Sequence, residues 1–198
     1  MEEHAVKRTK QKEKAEASRQ RLITAAARLF REKKIAEVGV REIATAAHVT
    51  TGTFYYHFKS KDDILDRVYL NRDAEFGELL DCLAVTDPTV DALAGFFRDE
   101  LAVTVEQDGI DFTMHRMFLM QKKSTESSRL YQGVMHLVTE ILKTGAFDSG
   151  YSASEITLYL FLMFRSVVYD WCITPGDGRG SLREREDKAI RQICKSFV

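Results

Sequence analysis

VREIATAAHVTTGTFYYHFKSK, residues Val40 to Lys61, is the stretch whose reading decides the fold. Val40, Ile43, Ala44 and Ala47 recur at helical spacing and form an apolar stripe. His48, Val49 and Thr50 then break the pattern. Thr50 and Thr51 are N-cap candidates, because a hydroxyl can satisfy an orphan amide at a helix start. The next run, Thr51 to Phe58, carries hydroxyls, aromatics and a histidine where a free-standing helix would favour Leu, Glu and Lys. Lys59 and Lys61 follow at once. A helix, a tight turn and a short polar-aromatic helix beside lysines is the layout of a helix-turn-helix.

Around this stretch the charge is uneven. The formal net charge is −1, but residues 1–61 hold 14 Lys/Arg against 7 Asp/Glu and residues 62–198 hold 15 against 23, giving +7 and −8. A basic head on an acidic body suits a protein that meets a polyanion at one end. Residues 1–17 form a polar, lysine-rich stretch without hydrophobic periodicity and are expected to be a flexible basic arm. From Ser18 onward, Leu22, Ile23, Ala26, Leu29 and Phe30 predict an amphipathic helix on which the helix-turn-helix rests.

Two prolines and 11 glycines among long runs of helix formers predict an all-α chain. Ser60 is expected to cap a long helix through Leu83, with Asp62 and Asp63 in its first turn, where carboxylates complement the helix dipole. Pro88 begins the next segment, read as a helix from Val90 to Gln107 that Asp108-Gly109 breaks. Helices are expected over Phe112–Lys122, from Ser124 or Thr125 to Leu142, over Ala153–Ile173 behind a Ser152/Glu155 capping box, and over Leu182–Phe197. The helix from Ala153 is apolar on nearly every side. Such a helix must be covered all round, and a symmetric partner subunit is the economical cover.

The run Ile43-Ala44, Ala47-His48-Val49-Thr50, Gly52-Thr53-Phe54-Tyr55-Tyr56-His57-Phe58 and Lys61 strongly resembles the DNA-binding signature of the tetracycline-repressor (TetR) family. The likeness is dense from Ser18 to Leu70 and architectural beyond. His48 departs from it, standing where that family usually has glycine, so a left-handed backbone is expected there. The resemblance implies an all-α fold of about nine helices. An arm (1–17) would precede a three-helix DNA-binding domain (18–63) and a ligand-binding and dimerisation domain (64–198).

It also implies roles that the residue chemistry fits. Thr51, Thr53 and Tyr56 suit base edges and thymine methyl groups, with Thr50 at the helix start. Tyr55, His57, Lys61 and Arg41 suit phosphate oxygens, which set register. Gly52 would let the backbone approach DNA. Phe54 and Phe58 are expected to face the core. A lone head reads too few base pairs for a useful site, whereas a homodimer would read a palindromic operator in double-stranded DNA.

The body is rich in apolar side chains that could enclose a small-molecule effector. They are Phe96, Phe97, Met114, Met117 and Phe118, together with Tyr131, Met135, Phe161, Phe164 and Trp171, with His115, Arg116, His136, Arg165 and Asp170 as polar groups near them. The expected outcome of effector binding is release from DNA. The alternative is an adaptor with the same head, whose body recruits a protein instead of sensing a small molecule.

Catalysis is not expected. The histidines lack metal-ligand spacing, no phosphate-binding glycine loop is present, and no Ser or Cys sits in a nucleophile motif. No cofactor and no metal are expected. Met1 to Arg21 has no apolar core, the run Ile156–Phe164 is too short to span a bilayer, and Cys82, Cys172 and Cys194 form no CxxC pair. A cytoplasmic location without membrane contact follows as the expectation, with the cysteines acting as small buried hydrophobes.

Overall fold

The computed structural model describes residues 2–120, 127–147, 150–176 and 178–198, with side chains from 11 to 117 in the first stretch. All regular structure among the described residues is helical. Two compact units divide the chain, residues 1–72 and 73–198.

The first unit contains α1 (Glu2–Glu32), α2 (Val40–Ala46), α3 (Thr51–His57) and the beginning of α4 (Lys61–Thr86). The basic stretch expected as a flexible arm instead continues α1. Gln11 to Ala17 are strong helix formers, and propagating an existing helix costs far less than nucleating one. Leu22, Ala26, Phe30, Ile43, Phe54, Ile64 and Leu65 are fully buried or nearly so and make this unit's core. Burying one such Leu or Phe side chain stabilises the fold by roughly 1.5–3 kcal/mol.

The second unit contains the rest of α4, then α5 (Val90–Gly95), which passes through a π-helical turn (Phe96–Ala102) into α6 (Val103–Met120). Pro88, expected at an early helical position, lies just before α5, and Thr89 caps it, accepting a hydrogen bond from the Ala92 amide. Gly109 is non-helical (φ 77, ψ 170) and kinks α6 where the sequence predicted a break. α7 (Arg129–Lys143) starts at Ser128, whose hydroxyl accepts from the Tyr131 amide. The expected cap at Ser124 or Thr125 and the end of the preceding helix at Lys122 lie outside the described residues. α8 (Ala153–Ile173) and α9 (Leu182–Cys194) both open with a reciprocal Ser/Glu capping box, Ser152/Glu155 and Ser181/Glu184.

Aromatic rings build the core of this unit. Phe97 meets Phe161 and Phe164 edge-on at centroid distances of 6.1 and 5.6 Å, and Tyr131 stacks on Phe161 at 5.3 Å. By length and mean hydropathy (1.4) α8 is apolar enough to cross a membrane, although its most apolar run alone is too short. Its composition has a local cause: Ile156, Leu160, Phe161, Phe164, Val168 and Cys172 pack into this core. Cys82, expected inside, is exposed on α4, whereas Cys172 and Cys194 are buried. Burial pushes the Cys194 thiol up to about 12, so it stays protonated and packs as a small hydrophobe.

Candidate nucleic-acid interface

The turn between α2 and α3 is fixed by its backbone. The His48 amide donates to the Thr45 carbonyl and the Val49 amide to the Ala44 carbonyl, both at 3.0 Å. This crossed pair closes a helix end only if the intervening residue is left-handed. His48 meets that demand with φ 54 and is the one non-glycine with positive φ among the described residues. Arg21 of α1 secures the turn from the side, its Nε donating to the Ala47 carbonyl at 3.3 Å.

α3 starts at once. Thr50 is its cap, its hydroxyl accepting from the Thr53 amide at 3.1 Å and lying 2.9 Å from the Thr53 hydroxyl. Phe54 and Phe58 point inward, 0% and 3% exposed, and their rings lie 5.8 Å apart. That anchoring turns Tyr55 and Tyr56 outward, 58% and 76% exposed. Two large aromatics left in water on a seven-residue helix are not core residues, and they form an exposed aromatic patch.

The remaining sequence-predicted contacts are more committed to the head. Lys61 Nζ donates to the Ile35 carbonyl at 2.6 Å. His57 is half-buried, with Nε2 2.8 Å from the Ser18 hydroxyl of α1. Burial and the nearby Arg19 charge hold its pKa below the ordinary 6.5, against a smaller opposing effect of Glu16. Arg41 is exposed at the start of α2, and Thr51 and Thr53 are half-buried on α3. A Cβ on Gly52 would meet only the Thr50 hydroxyl, at an ordinary 3.6 Å. Nothing inside the head therefore requires glycine there.

In the body, Phe96, Phe97, Tyr131, Phe161 and Phe164 share one buried cluster, with Met114, Met117, Met135 and Trp171 packed against it. The Phe118 side chain lies outside the described residues. Of the polar groups, His136 is held by Asp81 at 3.0 Å and Asp170 by Arg179 and Arg185 at 3.1 and 3.3 Å. His115 keeps a buried Nε2 without a hydrogen-bond partner.

The sequence reading missed the acidic groups that organise this unit. Asp73 of α4 accepts from the Ser128 hydroxyl and from the Arg129 and Leu130 amides, at 2.6, 2.7 and 3.2 Å, and so caps α7 from outside. Asp81 binds Arg129 as well as His136, and these two partners hold it below its usual range. Asp99 lies between Arg98 and Arg183, which hold it at about 2. Glu186 is fully buried with no partner on either carboxyl oxygen, and burial raises it to about 9.

A helix-turn-helix with an exposed aromatic α3, on an all-helical chain with a separate helical body, defines a class of DNA-binding regulator. The family of bacterial regulatory proteins of the tetR type matches residues 22–68, the segment built from α1 to α4. The HTH-type transcriptional regulator AcrR of Shigella flexneri is 37% identical over 70 residues, 35% of this chain and 33% of its own length. The repressor KstR2 of Rhodococcus jostii (strain RHA1) is 29% identical over 142 residues, 66% of this chain and 68% of its own. The matched segment thus spans about a third of AcrR. The fold of Thermus thermophilus FadR, a TetR-family repressor solved with lauroyl-CoA, superposes with a TM-score of 0.66. It is 21% identical, and the match covers 91% of this chain and 95% of that one. Residues 22–68 thus match the tetR-type DNA-binding family, and the chain as a whole has the fold of TetR-family transcriptional regulators.

Proposed function

We propose that this protein binds a palindromic operator in double-stranded DNA as a homodimer, represses transcription there, and is released by a small, largely apolar effector held in the body. The observation that carries the reading is α3: a short helix with a fixed cap, a buried Phe54/Phe58 face and outward Tyr55 and Tyr56, in a head of formal charge +7. Thr51, Thr53 and Tyr56 read base edges and thymine methyl groups in the major groove. Arg41, Tyr55, His57 and Lys61 set the register on phosphates, and the bare backbone at Gly52 lets α3 sit close.

The outer face of α8 supports the dimer. Leu158, Leu162, Tyr169 and Ile173 recur at helical spacing opposite the core-facing residues, each between 44% and 54% exposed. An apolar stripe of that length is what a second copy would cover. The effector reading rests on the aromatic and methionine-rich body and on FadR, a protein of this fold that binds an acyl-CoA. The effector acts only through unequal affinity for the DNA-competent and released arrangements, with α4, whose residues belong to both units, as the connecting element.

The test is selection from random duplex DNA by the purified protein at near-physiological salt, because low salt strengthens nonspecific phosphate binding. Enrichment of an inverted repeat is the expected result. Binding that vanishes with rising salt and enriches nothing would sink the operator reading and leave an adaptor that only touches backbone.

A further inference from the structure

Ser18 lies inside α1 and is 8% exposed. Its hydroxyl has two close partners, the Ala15 carbonyl and His57 Nε2, each at 2.8 Å. A hydroxyl carries one proton. The carbonyl can only accept, so that proton goes to Ala15, and Ser18 Oγ must accept from His57. Nε2 therefore carries a hydrogen, and in the neutral ring Nδ1 is the bare nitrogen. Nδ1 has no hydrogen-bond partner among the described residues. Tyr56 stands edge-on to the ring at a centroid distance of 4.8 Å.

We propose that Ser18 is a positioning residue of the nucleic-acid face, holding the His57 ring by its Nε2 edge so that Nδ1 is presented to a DNA backbone phosphate. This rests on the DNA-binding reading above. Its consequence follows from proton bookkeeping. A phosphate oxygen offers no proton, and a bare Nδ1 cannot donate one. The contact forms when Nδ1 takes a proton from solvent, giving an imidazolium that donates through Nε2 to Ser18 and through Nδ1 to the phosphate.

Arg19 and Glu16, both on α1, are the charges acting on the ring, and Tyr56 is the ionisable group beside it on α3. Burial and Arg19 outweigh Glu16, so the free protein keeps His57 neutral at pH 7 and the complex takes up the proton. DNA affinity then rises as pH falls towards and through 6.5, by at most about tenfold per pH unit for each head.

The test is duplex binding from pH 5.5 to 8.5 at fixed salt, using the inverted repeat enriched by the unmodified protein. Ser18→Ala frees the ring to place its hydrogen on Nδ1 and meet phosphate without proton uptake. Its pH slope should flatten, with affinity about tenfold weaker at pH 6 and within about twofold at pH 8. Ser18→Thr restores the slope, His57→Gln abolishes it, and His48→Gln leaves it in place. An equal slope in Ser18→Ala and the unmodified protein overturns the inference, as does a pH-independent affinity of the unmodified protein. Nitrogen chemical shifts of His57 in the unmodified free protein test it without a variant, since a hydrogen on Nδ1 there also overturns it. If the unmodified protein binds no duplex at any pH, the DNA-binding reading fails, and this inference with it.

Discussion

Gly52 and Glu186 both occupy positions that the folded chain by itself does not favour. At Gly52 a methyl group fits, and alanine is the better helix former. Gly52→Ala should therefore raise stability by about 0.5–1 kcal/mol while weakening duplex binding at least about tenfold, because the cost arises only when DNA approaches. Thermal melts beside binding isotherms separate the two effects, and unchanged binding would return Gly52 to ordinary helix surface. Glu186 shows the same logic in the core. Its folded-state value of about 9 lies above the ordinary 4.5, so between those limits the folded chain holds a proton that the unfolded chain releases. Stability should fall as pH rises through that window, by up to about 1.4 kcal/mol per pH unit from this group, and level off outside it. Urea unfolding of Glu186→Gln at pH 5, 6.5 and 8 should lack that component, and parallel profiles for the two proteins would refute it. His48, Phe54 and Phe58 were legible in the sequence because their roles are set within a few residues. Glu186 was not. In Leu182-Arg-Glu-Arg-Glu-Asp-Lys188 a carboxylate reads as a solvated face, and only packing shows that Glu186 falls on the buried stripe of Leu182, Ile190 and Cys194.

The crossing of α4 and α7 shows what is invisible in a pattern of apolar residues. A Cβ at Gly133 would lie 2.8 Å from Leu80 Cβ, and one at Gly77 would lie 3.0 Å from Arg129 Cβ. The two helices approach closely enough to exclude side chains at both points, while Asp73 and Asp81, on the same side of α4 as Gly77, bind the start and middle of α7. Gly133→Ala should cost about 1–3 kcal/mol through overpacking. Gly39→Ala, where an added methyl meets nothing within 4 Å, is the control. Equal denaturation midpoints for the two variants would refute the close approach. In the sequence Gly77 and Gly133 lie inside strongly helical stretches and read as tolerated blemishes, because their meaning depends on a partner some fifty residues away. Helix existence was legible, as were the Gly109 kink and the Ser152 cap. The extent of α1 was not, since a charged run has no apolar face to reveal whether it continues.

For the whole molecule the chemistry divides between the two units. The basic head and acidic body carry opposite charge, and the body's unspent apolar surface is concentrated on the outer side of α8. If that stripe holds two copies together, Leu158→Lys with Leu162→Lys should convert the dimer to monomer and reduce operator affinity more than about a hundredfold, since a lone head loses the second half-site. Sedimentation and binding of the same preparation decide it, and a dimer that survives both charges would place the interface elsewhere. The candidate DNA face was largely readable from the chain, because one contiguous motif contains it. A ligand site in the body would not be, because its residues would come from several helices and an aromatic core uses the same side chains as an aromatic pocket.

The paired Ser/Glu boxes at Ser152 and Ser181 have a consequence in time. Each of the last two helices carries its own start signal, and the connection between them is short, so this hairpin can form before distant parts of the chain meet. Refolding should slow several-fold in Ser152→Ala and Ser181→Ala, with unfolding rates little changed, as expected for contacts already made at the rate-limiting barrier. Slower refolding would identify the C-terminal hairpin as the nucleus on which the rest of the second unit condenses. Faster unfolding alone would make it the last piece to lock.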